Sequence, residues 1–187
     1  MRGNQIFRDK LRILMSNVSE PQQIFTGLIL LTGEEAPGKT DGLFHCLSEF
    51  SIQVVDVEQI VISNRLILTV LITLNPSHQG AIESDLNLYA QASGCDIATI
   101  FSHQSLSPLP NDRIGIEIIS EKMHPLLLSL ITNAISQLTA NIESIYRTQS
   151  NPTGVLFVVS GTNQESAKEI VDGIPLDESS KIRVFAL

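Results

Sequence analysis

The chain has 187 residues, of which 43% are hydrophobic and 17% charged, with 20 acidic side chains against 12 basic ones. This length allows one ordinary domain or two small ones, and no apolar stretch reaches the ~18 residues that a membrane-spanning helix needs. The apolar run Ile13–Met15 is too short for the core of a signal peptide. Two cysteines far apart in the sequence favour neither a disulfide framework nor a zinc site. We therefore expect a soluble, cytoplasmic protein without a metal or a cofactor.

The charge is unevenly distributed along the chain. Residues 1–23 hold four basic and two acidic side chains, and the remainder holds 8 basic against 18 acidic ones. A body this acidic repels phosphate backbones and anionic lipid, since binding to either depends on a surplus of lysine and arginine. The composition therefore excludes nucleic acid and the membrane surface as expected partners.

The first half of the chain has a clear order of predicted elements. Residues 1–23 form an N-terminal extension compatible with a short helix. There follow a strand at 24–32, a helix at about 41–50, strands at 51–62 and 65–74, a helix at 79–92 and a strand at 95–101. The two middle strands are separated only by Ser63-Asn64, and so short a link requires them to be antiparallel neighbours.

The same order of elements returns in the second half. A linker is predicted at 102–111. It is followed by a strand at 113–120, a helix at 125–140, strands at 141–149 and 154–161, a helix at 164–173 and a strand at 181–187. The duplicated order β-α-β-β-α-β predicts an α+β fold with two ferredoxin-like units, at 24–101 and 112–187. Each unit is expected to have an antiparallel four-stranded sheet with both helices on one face.

One motif matches the phosphate-binding P-loop. Gly33–Thr40 reads GEEAPGKT, after an apolar strand and before a helix. Three features argue against nucleotide binding there. Glu34 and Glu35 would place two carboxylates in a cradle for polyphosphate, and Pro37 removes a backbone N–H from it. A P-loop also needs a mostly parallel sheet, which the predicted hairpin does not provide. A nucleotide binder therefore remains the least favoured alternative.

The segments TGEEAPGKTDGLF (32–44) and IQVVDVEQIVISNRLILTVLITL (52–74) carry a family resemblance. Together they resemble the ACT domain, a small amino-acid-sensing module, and in particular the tandem ACT region that precedes the catalytic domain in the long form of phosphoserine phosphatases. The resemblance covers about 24–187 and is stronger in the first unit. It implies a regulatory protein of serine biosynthesis that binds a small amino acid, L-serine, and forms homodimers through its ACT units.

The resemblance also implies which residues form the ligand site. They lie in the loop between the first strand and the first helix: Glu35, Ala36, Pro37, Gly38 and Lys39. Backbone N–H groups at the helix start would receive the ligand carboxylate, and Glu35 would pair with its ammonium group. Further contacts across an interface between ACT units are expected from Val57, Glu58, Gln59 and Ile60. The second unit has Ser120-Glu121-Lys122 where the family has a glycine-containing turn, which leaves open whether that unit binds a ligand.

Catalysis is not expected of this chain. The resemblance implies a phosphatase domain that opens with a D-x-D-x-T strand, and the sequence contains no Asp-x-Asp. Without that pair of carboxylates there is neither nucleophile nor general acid for phosphoryl transfer. The chain is therefore expected to be the regulatory part alone. The principal alternative is a dimerisation module whose ligand site has decayed.

Overall fold

A computed structural model describes residues 24–104 and 112–187. The helix suggested within 1–23 and most of the predicted linker lie outside the described residues. The chain divides into two compact units, one with the first four strands and the other with the last four. Each unit is described on its own.

The first unit has the predicted order of elements. They are β1 (Ile24–Glu34), α1 (Lys39–Ser48), β2 (Gln53–Ile62), β3 (Arg65–Thr73), a 3₁₀ turn at Pro76–His78, α2 (Gln79–Ser93) and β4 (Asp96–Gln104). The first and last strands are longer than predicted: β1 ends at Glu34, and β4 continues three residues into the segment assigned to the linker. Pairing explains both extensions, because Glu34 lies opposite Arg65 and Gln104 opposite Ile24.

The first sheet has the strand order β2-β3-β1-β4, and every neighbouring pair is antiparallel. The turn between β2 and β3 consists of Ser63 and Asn64, both at positive φ, as a two-residue type I′ hairpin turn requires. Gly94 in the left-handed conformation ends α2. Local sequence chemistry therefore fixes the two reversals on which this topology depends.

The helices cover one face of the first sheet. Alternate residues of β3 are buried there, and they pack with buried side chains of both helices. The central members of this core are Leu31, Leu43, Leu66, Leu68, Ile72, Ile82 and Leu86. On the opposite face, here called the outer face, aliphatic side chains stay partly exposed. Leu28 is 41% exposed and Ile100, directly across from it in β4, is 65% exposed.

The second unit repeats this plan. Its elements are β5 (Arg113–Ser120), α3 (Pro125–Gln137), β6 (Asn141–Ser150), β7 (Thr153–Ser160), α4 (Gln164–Asp172) and β8 (Lys181–Ala186). The sheet order β6-β7-β5-β8 is again antiparallel throughout. Helix α3 is three residues shorter than predicted, because Thr139 adopts a positive φ of 53° that a right-handed helix does not allow. The α+β class with two ferredoxin-like units is confirmed.

The two faces of the second sheet are also unlike each other. Its helix side holds an aliphatic core that includes Ile116, Ile118 and Ile131. The outer face carries Glu117, which is only 3% exposed. The Arg183 guanidinium pairs with one oxygen of this carboxylate, and the Thr148 hydroxyl donates a 2.6 Å hydrogen bond to the other. A buried carboxylate is tolerated here because both of its oxygens have partners.

Candidate ligand site

The loop between β1 and α1 turns sharply into the helix at Gly38. This residue is the N-cap of α1, with φ 87° and ψ −10°, a left-handed conformation that only glycine adopts at little cost. Nothing lies within 4 Å of the position that a Cβ on Gly38 would occupy. The glycine is therefore required by the backbone conformation, and it leaves open space beside the start of the helix.

The start of α1 presents backbone donors. The first helical hydrogen bond runs from the N–H of Gly42 to the carbonyl of Gly38, at 2.8 Å. The N–H groups of Lys39, Thr40 and Asp41 precede this bond and have no partner within the helix. Gly38 has no side chain with which to cap them. This terminus of the helix therefore combines free donors with the positive end of the helix dipole, a combination that suits a carboxylate.

Two contacts hold this loop against the β2–β3 hairpin. The N–H of Glu35 donates to the carbonyl of Asn64 at 2.9 Å, and the Thr40 hydroxyl donates to Gln59 Oε1 at 2.7 Å. The first bond anchors the loop to the hairpin turn, and the second anchors the first turn of α1 to β2. The loop geometry therefore depends on residues that are far away in the sequence.

Lys39 turns away from the open side of the loop. Its carbonyl accepts a 2.6 Å hydrogen bond from the Tyr89 hydroxyl of α2. Its Nζ lies 3.4 Å from the position that a Cβ on Gly33 would take, and Cys95 Sγ lies 3.0 Å from the same position. The Lys39 side chain thus folds back over the end of β1.

The predicted site residues fall into two groups. Within the loop, Glu35, Pro37 and Gly38 are exposed, whereas Ala36 and Lys39 are half-buried. In β2, Val57 and Gln59 lie opposite the core residues Val70 and Leu68, so they share the helix side of the sheet. Glu58 and Ile60 alternate with them on the outer face.

Sequence reasoning did not predict the contacts by which three residues shape this loop: Thr40, Asn64 and Tyr89. Asn64 was recognised as a turn residue, but its contact with Glu35 follows from the strand order, which places β3 beside β1. Tyr89 lies in α2. Its hydroxyl gave no signal because its acceptor is a backbone carbonyl 50 residues away.

Two side chains packed around α1 have a raised pKa. Burial is the main cause that raises the pKa of Tyr89, with the nearby Cys95 thiol adding to it. Burial and the Asp85 carboxylate likewise raise the pKa of the Cys46 thiol. Neither group is prepared as a nucleophile, which needs a lowered pKa. Within 24–104 and 112–187, no cluster of three histidine, cysteine or acidic side chains is placed to hold a metal ion.

The P-loop interpretation conflicts with the sheet. β1, which leads into Gly33–Thr40, has antiparallel neighbours on both sides, β3 and β4. A P-loop follows a strand of a mainly parallel sheet with crossover helices. The sheet around this segment is therefore not one that holds a P-loop, and the match to the nucleotide-binding pattern is accidental.

In the described part of the chain, no helix is long and apolar enough to cross a membrane.

Comparison with known proteins supports the resemblance to ACT domains that the sequence suggested. Residues 26–99 match the family model of the ACT domain, which corresponds to most of the first unit. The crystal structure of a candidate glycine cleavage system transcriptional repressor superposes with a TM-score of 0.69, at 16% identity, over 87% of this chain and 98% of that one. An uncharacterised protein from Galdieria sulphuraria has a TM-score of 0.68 at 13% identity, with the same coverage. At these identities the likeness concerns the fold alone.

Two curated relatives that are similar to this chain in sequence are phosphoserine phosphatases. A phosphoserine phosphatase of Streptomyces coelicolor is 28% identical over 151 residues, which is 80% of this chain and 37% of the relative. The phosphoserine phosphatase SerB2 of Mycobacterium tuberculosis is 36% identical over 73 residues, 38% of this chain and 18% of the relative. The chain therefore spans well under half the length of the curated relatives it matches. It carries two ACT-like units and resembles the regulatory region of phosphoserine phosphatases.

Proposed function

We propose that this chain is a non-catalytic regulatory protein that binds a small amino acid at the β1–α1 loop of its first unit. One observation carries the proposal: left-handed Gly38 presents an uncapped helix start, with open space beside it, in a unit that matches the ACT model. Free N–H groups and the helix dipole favour a carboxylate at this position. The exposed Glu35 supplies the negative charge that the ligand ammonium group needs.

L-Serine is the ligand that we propose. Its hydroxyl needs hydrogen-bonding groups near the loop, and the paired side chains of Thr40 and Gln59 supply them. The names of the curated relatives point to the same chemistry, since phosphoserine is the precursor that yields serine on loss of its phosphate. Binding would regulate by favouring one packing of ACT units over another, which shifts a population rather than performing a reaction.

We also propose that the chain acts in the cytoplasm as a homodimer formed through its ACT units, with units at 24–101 and 112–187. Aliphatic side chains on the outer face of the first sheet, such as Leu28 and Ile100, support an association of this kind. Sedimentation velocity with and without serine measures the assembly directly. A monomer under both conditions contradicts the dimer.

An assay with phosphoserine checks the proposed lack of catalysis, and turnover of phosphoserine would contradict it.

Calorimetric titration of the chain with L-serine tests the ligand site. We expect Gly38→Gln to abolish binding, because the new side chain fills the space beside the helix start and strains the left-handed backbone. Gly80→Gln is the matched control, since Gly80 lies in α2 with equally open space and helical dihedral angles. Absence of heat at millimolar serine, or equal binding by both variants, would contradict the proposed site. Serine-independent dimerisation together with silent calorimetry would favour a dimerisation module instead.

A further inference from the structure

The outer face of the first sheet carries an apolar patch, formed by Leu28 and Leu30 of β1 and Ile100 of β4. Leu28 lies directly opposite Ile100, and all three side chains are exposed. Both helices of the unit pack on the other side of the sheet, so no described element of this unit covers the patch. Contiguous apolar surface of this kind marks a site of association.

The outer face of the second sheet is more closed. Leu156 and Val158 of β7 lie there, opposite Glu117 and Gly115, and they are only 6% and 7% exposed. The ring of Phe185 also packs against Gly115 on this face. A cover is therefore needed on the first sheet rather than on the second.

The apolar patch has an acidic border on β2, formed by Asp56 and Glu58. Asp56, Leu71, Leu28 and Ile100 form one row across the four strands, and Glu58 stands at the edge of the next row. Both carboxylates are exposed, and the one ion pair among the described residues lies in the second unit. A partner for this face therefore needs an apolar surface with positive charge beside it.

Residues 1–23 combine these two properties in their sequence. Phe7, Leu11 and Leu14 recur at helical spacing, so a helix over them has one apolar side. At ~100° per residue, Arg8 and Arg12 fall together on one flank of that side. The segment holds four basic against two acidic side chains, whereas the rest of the chain is acidic. Its charge is therefore opposite to that of the acidic border.

The segment also joins the sheet next to the apolar patch. It continues into Ile24, the first residue of β1, and β1 lies between β3 and β4. Ile24 shares the outer face with Leu28, which is ~14 Å further along the strand. Residues 15–23 span up to ~30 Å when extended. A helix at 7–14 can therefore reach the patch within the same chain.

We propose that residues 7–14 form a helix that covers the outer face of the first sheet in its own chain. Its apolar side lies on the apolar patch, which removes apolar surface from water. Arg8 and Arg12 lie beside the acidic border and fix the direction of the helix. A second copy that associates through this face has to displace the segment, so the segment opposes the homodimer proposed above. The cover itself rests on neither that dimer nor the serine site.

Thiol labelling of the full chain at submicromolar concentration tests this cover. Ile100→Cys places a reporter in the apolar patch. Leu88→Cys is the matched control, because Leu88 on α2 is 62% exposed and Ile100 is 65% exposed. Both variants also carry Cys46→Ala, since Cys46 is half-buried, whereas Cys95 is buried. We expect Ile100→Cys to react at least tenfold more slowly than Leu88→Cys.

Substitutions within the segment identify what covers the patch. Leu11→Asp combined with Leu14→Asp should raise the labelling rate of Ile100→Cys to that of Leu88→Cys. Ile13→Asp is the control, because Ile13 lies on the opposite side of the same helical pattern, and it should leave the rate low.

Charge reversal tests the direction of the helix. Arg8→Glu combined with Arg12→Glu should also speed the labelling of Ile100→Cys. Adding Asp56→Lys and Glu58→Lys to that chain should restore the slow rate, because the opposite charges then face each other again. Lys10→Glu changes a charge on the other flank and should have little effect.

Four results would overturn the proposal. Equal labelling of Ile100→Cys and Leu88→Cys in the otherwise unchanged chain would show that the face is open. Protection that disappears on dilution would show that a second copy covers the face instead. Protection that persists in Leu11→Asp with Leu14→Asp would exclude the segment as the cover. Equal effects of Lys10→Glu and the double arginine reversal would contradict the pairing with the acidic border.

Discussion

The Tyr89 hydroxyl donates a 2.6 Å hydrogen bond to the carbonyl oxygen of Lys39, and so ties α2 to the first residue of α1. The ring of Tyr89 also packs on Gly42, where a Cβ would lie 2.6 Å from a ring carbon. The two helices therefore meet beside the proposed serine site. Any change at Tyr89 is transmitted to the loop through the backbone of Lys39.

Tyr89→Phe should lower the free energy of unfolding by about 1 kcal/mol, because it removes one partly buried hydrogen bond. We also expect weaker serine binding, since the loop loses an anchor. Urea denaturation and calorimetry measure the two effects. Tyr146→Phe is the control, as Tyr146 is 49% exposed on β6. Equal stability losses in the two variants would contradict the role of the Tyr89 bond.

Gly38→Ala and Gly80→Ala should change stability in opposite directions. Both positions have open space around a new Cβ, but Gly38 has φ 87° and Gly80 lies within α2. Alanine at Gly38 should cost roughly 1–2 kcal/mol of left-handed strain. Alanine at Gly80 should add about 0.5–1 kcal/mol through helix propensity. Thermal unfolding measures both, and a Gly38→Ala variant as stable as the parent would show that the loop has another conformation.

Arg183→Met should destabilise the second unit by about 1–3 kcal/mol, because it leaves the Glu117 carboxylate buried with Thr148 as its remaining side-chain partner. Adding Glu117→Gln to that variant should restore much of the loss, since the uncompensated charge disappears. Chemical denaturation of the single and double variants measures this coupling. Strictly additive effects would show that the pair does not act as a unit.

The folded state should lose stability in acid when the Glu143 carboxylate becomes protonated. The Ser160 hydroxyl, and next the Asn141 side chain, lower the pKa of this carboxyl below its ordinary value of 4.5. A carboxyl whose pKa is lower in the folded state stabilises it above the unfolded pKa, and that contribution is lost as the pH falls through the folded pKa. Ser160→Ala should therefore raise the Glu143 pKa and flatten the acid dependence of stability below about pH 4.5.

An NMR titration of the Glu143 side-chain carboxyl carbon measures that change directly. Glu165→Gln is a suitable control, because Glu165 is an exposed carboxylate on α4. An unchanged Glu143 titration in Ser160→Ala would contradict the assigned cause.

The sequence predicted the topology because its strongest signals are local. The short Ser63-Asn64 link requires β2 and β3 to be antiparallel neighbours, and the same order of elements recurs in the second half of the chain. The predicted ends of the strands were less accurate than the predicted order of the elements. Serine, asparagine and two prolines in the segment that begins at Ser102 suggested a linker, yet β4 continues to Gln104 because β1 is long enough to pair there. Pairing partners of this kind cannot be read from one segment alone.

The candidate site was predictable only in part. Pro37-Gly38 before a helix indicated the turn, and its glycine is indeed required by the backbone conformation. The anchoring bonds from Glu35 to Asn64 and from Thr40 to Gln59 join segments that meet only after the sheet has formed.

A glycine opposite a phenylalanine occurs in both sheets, but on different faces. Gly27 lies across from Phe101 on the helix side of the first sheet, whereas Gly115 lies across from Phe185 on the outer face of the second. The two units therefore share a backbone topology but place this glycine–phenylalanine pair on opposite faces of their sheets. A chimera that replaced β5 with β1 would bring a glycine into the core and a leucine, Leu28 or Leu30, to the place of Glu117. The strands of the two units are therefore not interchangeable, although the units share one topology.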